Sequence, residues 1–430
     1  MNIENSQLAR STPQDQAFDI AKFIRPGDTI MWGQANAEPL TLMQALIDQR
    51  HQLGRVRLFL GIGQSDLLDP AHADTFDFLA YCGTGSNRRL ADAGVLDILT
   101  AHYSQFPGLI SRGKLPIDVL MLQVSPPDAM GRYSLGMARE YLIPAIETAR
   151  VILAEVNPQV PWTYGEPYFR DSDFDLLVPA RLHAPKVNTN KPGPIEVAIG
   201  KNVASLVEDG ATLQVGVGSI PDAVLAQLND RRELGVHSGA IGDGIAELCL
   251  AGVITNSCKS IDSGVSVGGV LIGSEKVRSF AHRNPALELR STAYTHNPNV
   301  LRRIDRFVAI NSAIEVDITG QVNSEVASGR YLGGIGGILD FLRAAQASRG
   351  GVPIIALPST AGARSRIVSS LSGPVTVPRS DGCVIVTEHG IADLRGLSLA
   401  ERLPRLLSIA APEHREQLER DIRLVAKRGS

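Results

Sequence analysis

Four places in the chain carry residue types that can do chemistry. The first is the stretch Gly216-Val217-Gly218-Ser219-Ile220-Pro221, which follows a β-like run. Glycines between a strand and a helix let backbone N–H groups close on an anion, and a purely structural turn is the competing reading. Pro221 stands where the dinucleotide fingerprint has its third glycine, so a nucleotide site is not expected there. The second place is Gly333, Gly334, Gly336 and Gly337, which feed an apolar helical run. Such a cluster either turns several N–H groups toward a ligand carbonyl or phosphate or serves as a flexible turn. The preceding Gln321 to Glu325, QVNSE, reads as polar loop chemistry.

The third place is His237, Ser238 and Asp243 in GVHSGAIGDGI. A serine beside a histidine suggests a nucleophile and its base. Neighbours on a strand point to opposite faces, however, so a packed histidine is the better reading of that pair. The fourth is Glu388 in IVTEHGIADLRG, at the end of an apolar strand, where ligands gather in open α/β sheets. A helix cap or a salt bridge to Arg395 is the rival account. Glu38 in GQANAEPL stands at a similar strand-to-helix junction. Arg364 and Arg366 either meet a phosphate or are solvated.

These residues need strands to place them, and the sequence supplies short apolar β-branched runs alternating with helical stretches. The runs beginning at Asp118, Val151, Ala211, Phe307, Val352 and Cys383 all read as buried strands. Near-continuous apolar strands separated by helices predict an α/β fold with largely parallel sheets covered on both faces. The chain has 430 residues, which at roughly 100–200 residues per domain predicts two or three domains. The proline- and glycine-bearing stretch Asn188 to Pro194 reads as a linker, so we divide the chain into residues 1–190 and 191–430.

Composition narrows the functional classes. Forty-two Lys and Arg against 45 Asp and Glu leave a net charge of −3, which removes the electrostatic case for nucleic-acid binding. The four cysteines, Cys82, Cys249, Cys258 and Cys383, form no CxxC pair, so neither a metal site nor a disulfide framework is expected. The first 20 residues are polar, and no apolar run reaches the roughly 18 residues of a membrane helix. A cytoplasmic protein without a membrane partner is the expectation.

Taken together, nine segments resemble the acetyl-CoA hydrolase/transferase family, and within it the 4-hydroxybutyrate and butyrate CoA-transferase branch. They are GQANAEPL, LPIDVLMLQVSPPDAMGRYSLG, LAEVNPQVPWTYG, LVEDGATLQVGVGSIPDAV, AGVITNSCK, INSAIEVDITGQVNSE, GGIGGILDF, STAGARSRIV and VTEHGIADLRG. They occur in the family's order from about residue 20 to about residue 420. The resemblance implies two open α/β domains with a coenzyme A site between them, a homodimer, acyl-CoA and carboxylate substrates, and no metal. It also implies ping-pong chemistry, in which a glutamate attacks the thioester and carries CoA as a glutamyl thioester to a carboxylate acceptor.

The residue that should carry that chemistry is missing. The family pattern is Leu-Gly, one residue, His-Thr-Glu, and then Asp-Gly three residues further on. Here His237, Asp243 and Gly244 keep register, which puts Gly239 at the glutamate position. Glycine has no carboxylate to form an anhydride or a thioester. Other positions carry over. Asn297 matches a family asparagine near the reacting carbonyl, Gly337 matches an oxyanion-hole glycine, and Glu388 matches a glutamate that orders the acyl site. Arg349 corresponds to a basic residue near CoA, with Gly334 and Gly336 lining the same glycine-rich turn.

Three readings follow. The first is an enzyme acting on acyl-CoA without a glutamyl intermediate, by hydrolysis or another acyl-CoA reaction, with Asp243, His237 or Glu38 as base. The second is a CoA-transferase whose nucleophile has moved to Glu325 or Glu38. The third is an inactive acyl-CoA binder. Met31 and Trp32 line either an acyl pocket or the core.

Overall fold

The computed structural model of the chain describes residues 18–182 and 192–426, with side chains described as far as Asp421. The expected boundary at residue 190 and most of the expected linker lie outside the described residues. Among the described residues the fold has two compact units. The first comprises residues 18–182, Ile241–Asp243 and Val267–Thr295, and the second comprises residues 192–240, Gly244–Ser266 and 296–426.

The first unit is built on seven strands: β1 (Thr29–Trp32), β2 (Val56–Leu60), β3 (Phe76–Ala80), β4 (Leu96–Ile98), β5 (Val119–Val124), β6 (Val151–Val156) and β7 (Leu176–Pro179). They lie in the order 4-3-2-1-5-6-7, and every pairing is parallel. Strands β1 and β5 are buried at every position, as expected for a parallel sheet covered on both faces. Their side chains join one apolar core containing Ile30, Trp32, Leu58, Leu60, Met121 and Leu153.

The main sheet of the second unit has six strands: β8 (Thr212–Val215), β9 (Gly235–Val236), β10 (Phe307–Ser312), β11 (Val352–Ala356), β12 (Val384–Thr387) and β13 (Gly390–Asp393). Their order is 9-8-10-11-12-13, parallel throughout except for the antiparallel edge strand β13. All six strands expected from the apolar runs are present, in β5, β6, β8, β10, β11 and β12.

Each sheet reverses its winding direction once. In the first the reversal lies between β1 and β5, and in the second between β8 and β10. In open α/β sheets the crevice outside the carboxyl ends at such a reversal is where ligands bind. The loop from Gly33 to Glu38 leaves β1 at that point, and Gly216 to Gly218 leave β8. The helix Ile338–Ala347 buries Ile338, Leu339, Phe341, Leu342, Ala344 and Ala345. That is one stripe at helical spacing. The stripe shares an apolar core with Phe307 and Ala309 of β10 and Ile355 of β11. This packing fixes Gly337, the residue that begins the helix, beside the core.

Candidate active site

Strand β9 runs directly into the expected nucleophile position. The His237 N–H donates to the Leu213 carbonyl at 3.0 Å and prolongs the ladder with β8. The Ser238 hydroxyl donates to the Val215 carbonyl at 3.1 Å. Both residues are fully buried, so Ser238 is held as a strand-to-strand tie and not as a nucleophile. The sequence reading of His237 and Ser238 as packed residues is the one the geometry favours.

Gly239 follows and is partly exposed. Its Cα faces the imidazole of His296. A Cβ there would stand 3.2 Å from Cε1 and 3.3 Å from Nε2 of that ring, and 3.7 Å from Phe341. Gly337 meets the same ring from the start of the Ile338–Ala347 helix, where a Cβ would fall 2.5 Å from His296 Nε2. Phe341, one turn along the helix, completes the enclosure with its ring centroid 4.5 Å from that of His296. His296 is 3% exposed. Burial, helped by the nearby His237, pushes its pKa down to about 3, so the imidazole is neutral near pH 7.

Asn297 comes next in the chain. Its Oδ1 accepts the Asn299 N–H at 2.8 Å and caps the short helix Pro298–Leu301. Around the glycine cluster, the Gly333 N–H donates to the Glu325 carbonyl at 3.0 Å, and the Ser324 hydroxyl donates to the Gly334 carbonyl at 3.1 Å. Gly336 has φ +51°, a conformation that side chains seldom adopt. The second unit therefore brings Gly239, His296, Asn297 and Gly337 together.

Other expected residues are held differently. The carboxylate of Asp243 accepts the N–H of Ser274 at 3.0 Å and of Val277 at 3.0 Å. These bonds tie down the start of the helix Glu275–Ala281 and occupy the carboxylate that the sequence offers as one candidate base. Glu388 accepts the Ser359 N–H at 2.9 Å and the Ser359 hydroxyl at 2.6 Å. The rival expectation of a salt bridge to Arg395 fails, because Arg395 pairs with Asp393 at 2.7 Å. Arg366 is half-buried, and that burial lowers its pKa from the ordinary arginine value against the opposing pull of the Glu388 charge. Arg364 is exposed and donates to Ser328 at 2.9 Å. Arg349 has an 87% exposed side chain that pairs with Asp305 at 2.6 Å. It follows the far end of the Ile338–Ala347 helix, roughly 15 Å of helix from Gly337, and so does not join the glycine cluster. Glu325 is buried, accepting from Tyr331 at 2.6 Å and Thr376 at 2.7 Å.

Beyond the carboxyl ends of β1 and β2 the first unit has a small pocket lined by Trp32, Gln34, Glu38, Gly61, Ser65 and Asn87. Met31 is not among the lining residues; it is fully buried. Glu38 accepts the N–H of Ser65 at 2.7 Å and of Gln64 at 3.1 Å. Burial still raises its pKa to about 7. Beneath lies a network that sequence reasoning missed. Gln34 donates to both oxygens of Glu140 at 2.8 Å and receives the Tyr81 hydroxyl at 2.6 Å. Burial raises the Glu140 pKa to about 8 against hydrogen bonds from Gln34 and Tyr103. The one sequence signal was a charged pair, Arg139-Glu140, set in an otherwise apolar stretch around Tyr141.

His296 was also missed, although it directly precedes the expected Asn297. Reading the chain as free of a GxSxG pattern is an error, because Gly264 to Gly268, GVSVG, is one. Ser266 begins an extended strand, is fully buried and accepts from Asn256 at 3.0 Å, so it forms no nucleophile elbow. Among the described residues no group of three His, Cys, Asp or Glu could hold a metal ion, and no helix is long and apolar enough to cross a membrane.

Comparison with known proteins fits this arrangement. Residues 12–171 match the acetyl-CoA hydrolase/transferase N-terminal domain, and residues 273–422 match the corresponding C-terminal domain. The 4-hydroxybutyrate coenzyme A transferase of Clostridium kluyveri is 38% identical over 395 residues, covering 90% of this chain and 92% of that protein. The succinyl-CoA:cyclohexane-1-carboxylate CoA transferase of Geobacter metallireducens is 32% identical over 409 residues, covering 93% and 92%. Among solved structures, RipA from Yersinia pestis superposes with a TM-score of 0.91 at 32% identity, covering 99% of this chain and 100% of that one.

Proposed function

Because the chain belongs to the acetyl-CoA hydrolase/transferase family, we propose that it acts on the thioester of an acyl-CoA without a glutamyl–CoA intermediate. The observation that carries this reading is Gly239. The position that the family resemblance assigns to the nucleophile has no side chain, and the space against it is taken by His296 and Phe341. Hydrolysis is the simplest reaction left, since water needs only a polarised carbonyl and room to approach.

In this reading Gly337 supplies a backbone N–H to the developing oxyanion, with Gly334 and Gly336 shaping the turn that presents it. Asn297 lies next to the carbonyl. Glu388, fixed by Ser359, orders the acyl side. Within the first unit, the Glu38 carboxyl, whose pKa burial raises to about 7, can give or take a proton. Coenzyme A is part of the substrate and not a resident cofactor. The two-domain division at residue 190, a homodimer and a cytoplasmic location belong to the same proposal.

A second reading is favoured by the relatives, which are named as CoA-transferases. It requires a carboxylate other than the missing one. Glu325 is committed to Tyr331 and Thr376, which leaves Glu38 as the stronger candidate.

The test is mass spectrometry of products from the purified protein, incubated with a panel of acyl-CoAs with and without acetate, and with borohydride trapping. Free CoA and free carboxylate without a protein adduct are expected. Acetate-dependent exchange with a trapped carboxylate would overturn the proposal in favour of a relocated nucleophile. Binding without turnover across the panel would leave an acyl-CoA binder.

A further inference from the structure

Two arginines follow the end of β11 in the second unit, and they are held differently. Arg364 is exposed and donates to the Ser328 hydroxyl at 2.9 Å. Arg366 is half-buried, and its guanidinium forms no hydrogen bond or ion pair with another described residue. Its backbone is nevertheless firmly placed. The Arg366 N–H donates to the Ser359 carbonyl at 2.8 Å, and the Arg366 carbonyl accepts the Val316 N–H at 2.8 Å. The first of these bonds closes the base of a hairpin, formed by Thr360–Ala361 and Arg364–Ser365, whose turn is exposed. Ser359 is buried and gives both its N–H and its hydroxyl to Glu388. One short relay therefore joins Arg366, Ser359 and Glu388.

Ser359 stands just past β11, and Glu388 directly follows β12, so the relay lies beyond the carboxyl ends of two neighbouring parallel strands. Ligands gather at such ends in open α/β sheets. A partly desolvated guanidinium without a partner is costly. Burial lowers the Arg366 pKa, and the Glu388 charge opposes that shift without forming an ion pair. The planar fork of a guanidinium matches the two oxygens of one carboxylate. A phosphate fits less well, because its second charge would face Glu388. Phosphate sites also draw on a helix N-terminus or a run of glycine amides, and Arg366 stands at a hairpin base with neither. Both oxygens of Glu388 are already engaged by Ser359, which limits its repulsion of a second carboxylate.

We propose that Arg366 is a carboxylate-recognition residue, which holds both oxygens of a substrate carboxylate in its guanidinium fork. That carboxylate is either the free end of a dicarboxylic acyl-CoA or a free carboxylate that the reaction accepts or releases. The assignment rests on the acyl-CoA reading above, in which Glu388 orders the acyl side.

The experiment measures binding by isothermal titration to wild type, Arg366→Gln and the milder Arg366→Lys, with folding checked by circular dichroism and thermal melting. The probes are S-(3-carboxypropyl)-CoA, S-butyl-CoA and, in the presence of CoA, butyrate. The two analogues are thioethers, so binding is read without turnover. If the carboxylate is the end of the acyl chain, wild type prefers the carboxylated analogue by at least about tenfold and Arg366→Gln loses that preference. If it is a free carboxylate, butyrate binding falls at least about tenfold in Arg366→Gln. In both cases S-butyl-CoA affinity is expected to change by less than about threefold. Arg366→Lys keeps the charge without the fork and is expected to bind the carboxylated ligand at least about threefold more weakly than wild type. Unchanged carboxylate affinity in the folded variants overturns the assignment. So does an equal loss for both analogues with butyrate unaffected, which would make Arg366 a contact to a phosphate of CoA. If wild type releases no CoA yet shows the Arg366-dependent preference, the hydrolysis reading falls and this assignment stands. If wild type binds none of the probes, both fall together.

Discussion

The imidazole of His296 lies so close to Gly239 that a Cβ on the glycine would stand 3.2 Å from Cε1, tighter than ordinary van der Waals contact. A side chain introduced at the partly exposed residue 239 therefore starts out tight against that ring, and His296 must give by a few tenths of an ångström to admit one.

Gly239→Glu alone is expected to push His296 against Phe341 and to lower stability by about 1–3 kcal/mol, the usual cost of overpacking. Little CoA transfer should appear. Gly239→Glu combined with His296→Asn relieves the contact and is expected to install acetate-dependent CoA exchange with a borohydride-trapped adduct. Failure of the double variant to form any covalent adduct while binding acyl-CoA normally would show that the rest of the site has diverged too.

Asp243 separates a structural from a chemical role. Its carboxylate holds the amides of Ser274 and Val277 at the start of the Glu275–Ala281 helix. Asp243→Asn keeps one acceptor oxygen, so turnover should stay within about threefold of wild type while stability drops by about 1 kcal/mol. A loss of turnover above 100-fold in a folded Asp243→Asn protein would return the residue to the list of bases.

Gly337→Ala tests the other side of the imidazole. The new methyl would stand 2.5 Å from Nε2 of His296. Since the ring is enclosed by Phe341, the helix start and the histidine must separate. Turnover is expected to fall at least about 100-fold, with a smaller loss of stability of about 1–3 kcal/mol. Unchanged kinetics in Gly337→Ala would mean that the turn carries no part of the reaction.

Glu140 predicts a pH dependence of stability with a definite sign. Burial raises its pKa to about 8 in the folded protein, against 4.5 as the ordinary value. The folded state therefore binds the proton more tightly than the unfolded chain does. Stability from this group is fully present below about pH 4.5 and is lost progressively as pH rises to about 8. Glu38, raised to about 7, acts in the same direction over a narrower window. Glu140→Gln is expected to flatten the fall in stability between pH 5 and 8 by on the order of a few kcal/mol, read by urea unfolding at several pH values. An equal fall in wild type and variant would mean that the carboxyl is not protonated in the folded protein.

The legibility of the sequence differed sharply between its elements. The strands β5, β6, β8, β10, β11 and β12 were readable because a parallel strand buried on both faces must be apolar at nearly every position. Gly337 and Glu388 were readable as candidates because turns and strand ends have local residue preferences. The rival account of Glu388 as a partner of Arg395 came from nearness in the chain, whereas the structure pairs Arg395 with Asp393. Glu140 was passed over because a single buried carboxylate has no pattern, only a requirement for partners such as Gln34, which lies 106 residues away in the chain.

By itself the sequence determined the α/β architecture, the family and the absence of a carboxylate at residue 239, because each of these is written in local composition or in the order of motifs. Only the tertiary structure decided what stands beside that residue. His296, Gly239 and Gly337 come from three separate segments, and their meeting depends on how β9 and the Ile338–Ala347 helix pack in one core. No local spacing encodes that meeting, since the contact is set by long-range packing and by the two missing side chains that allow it.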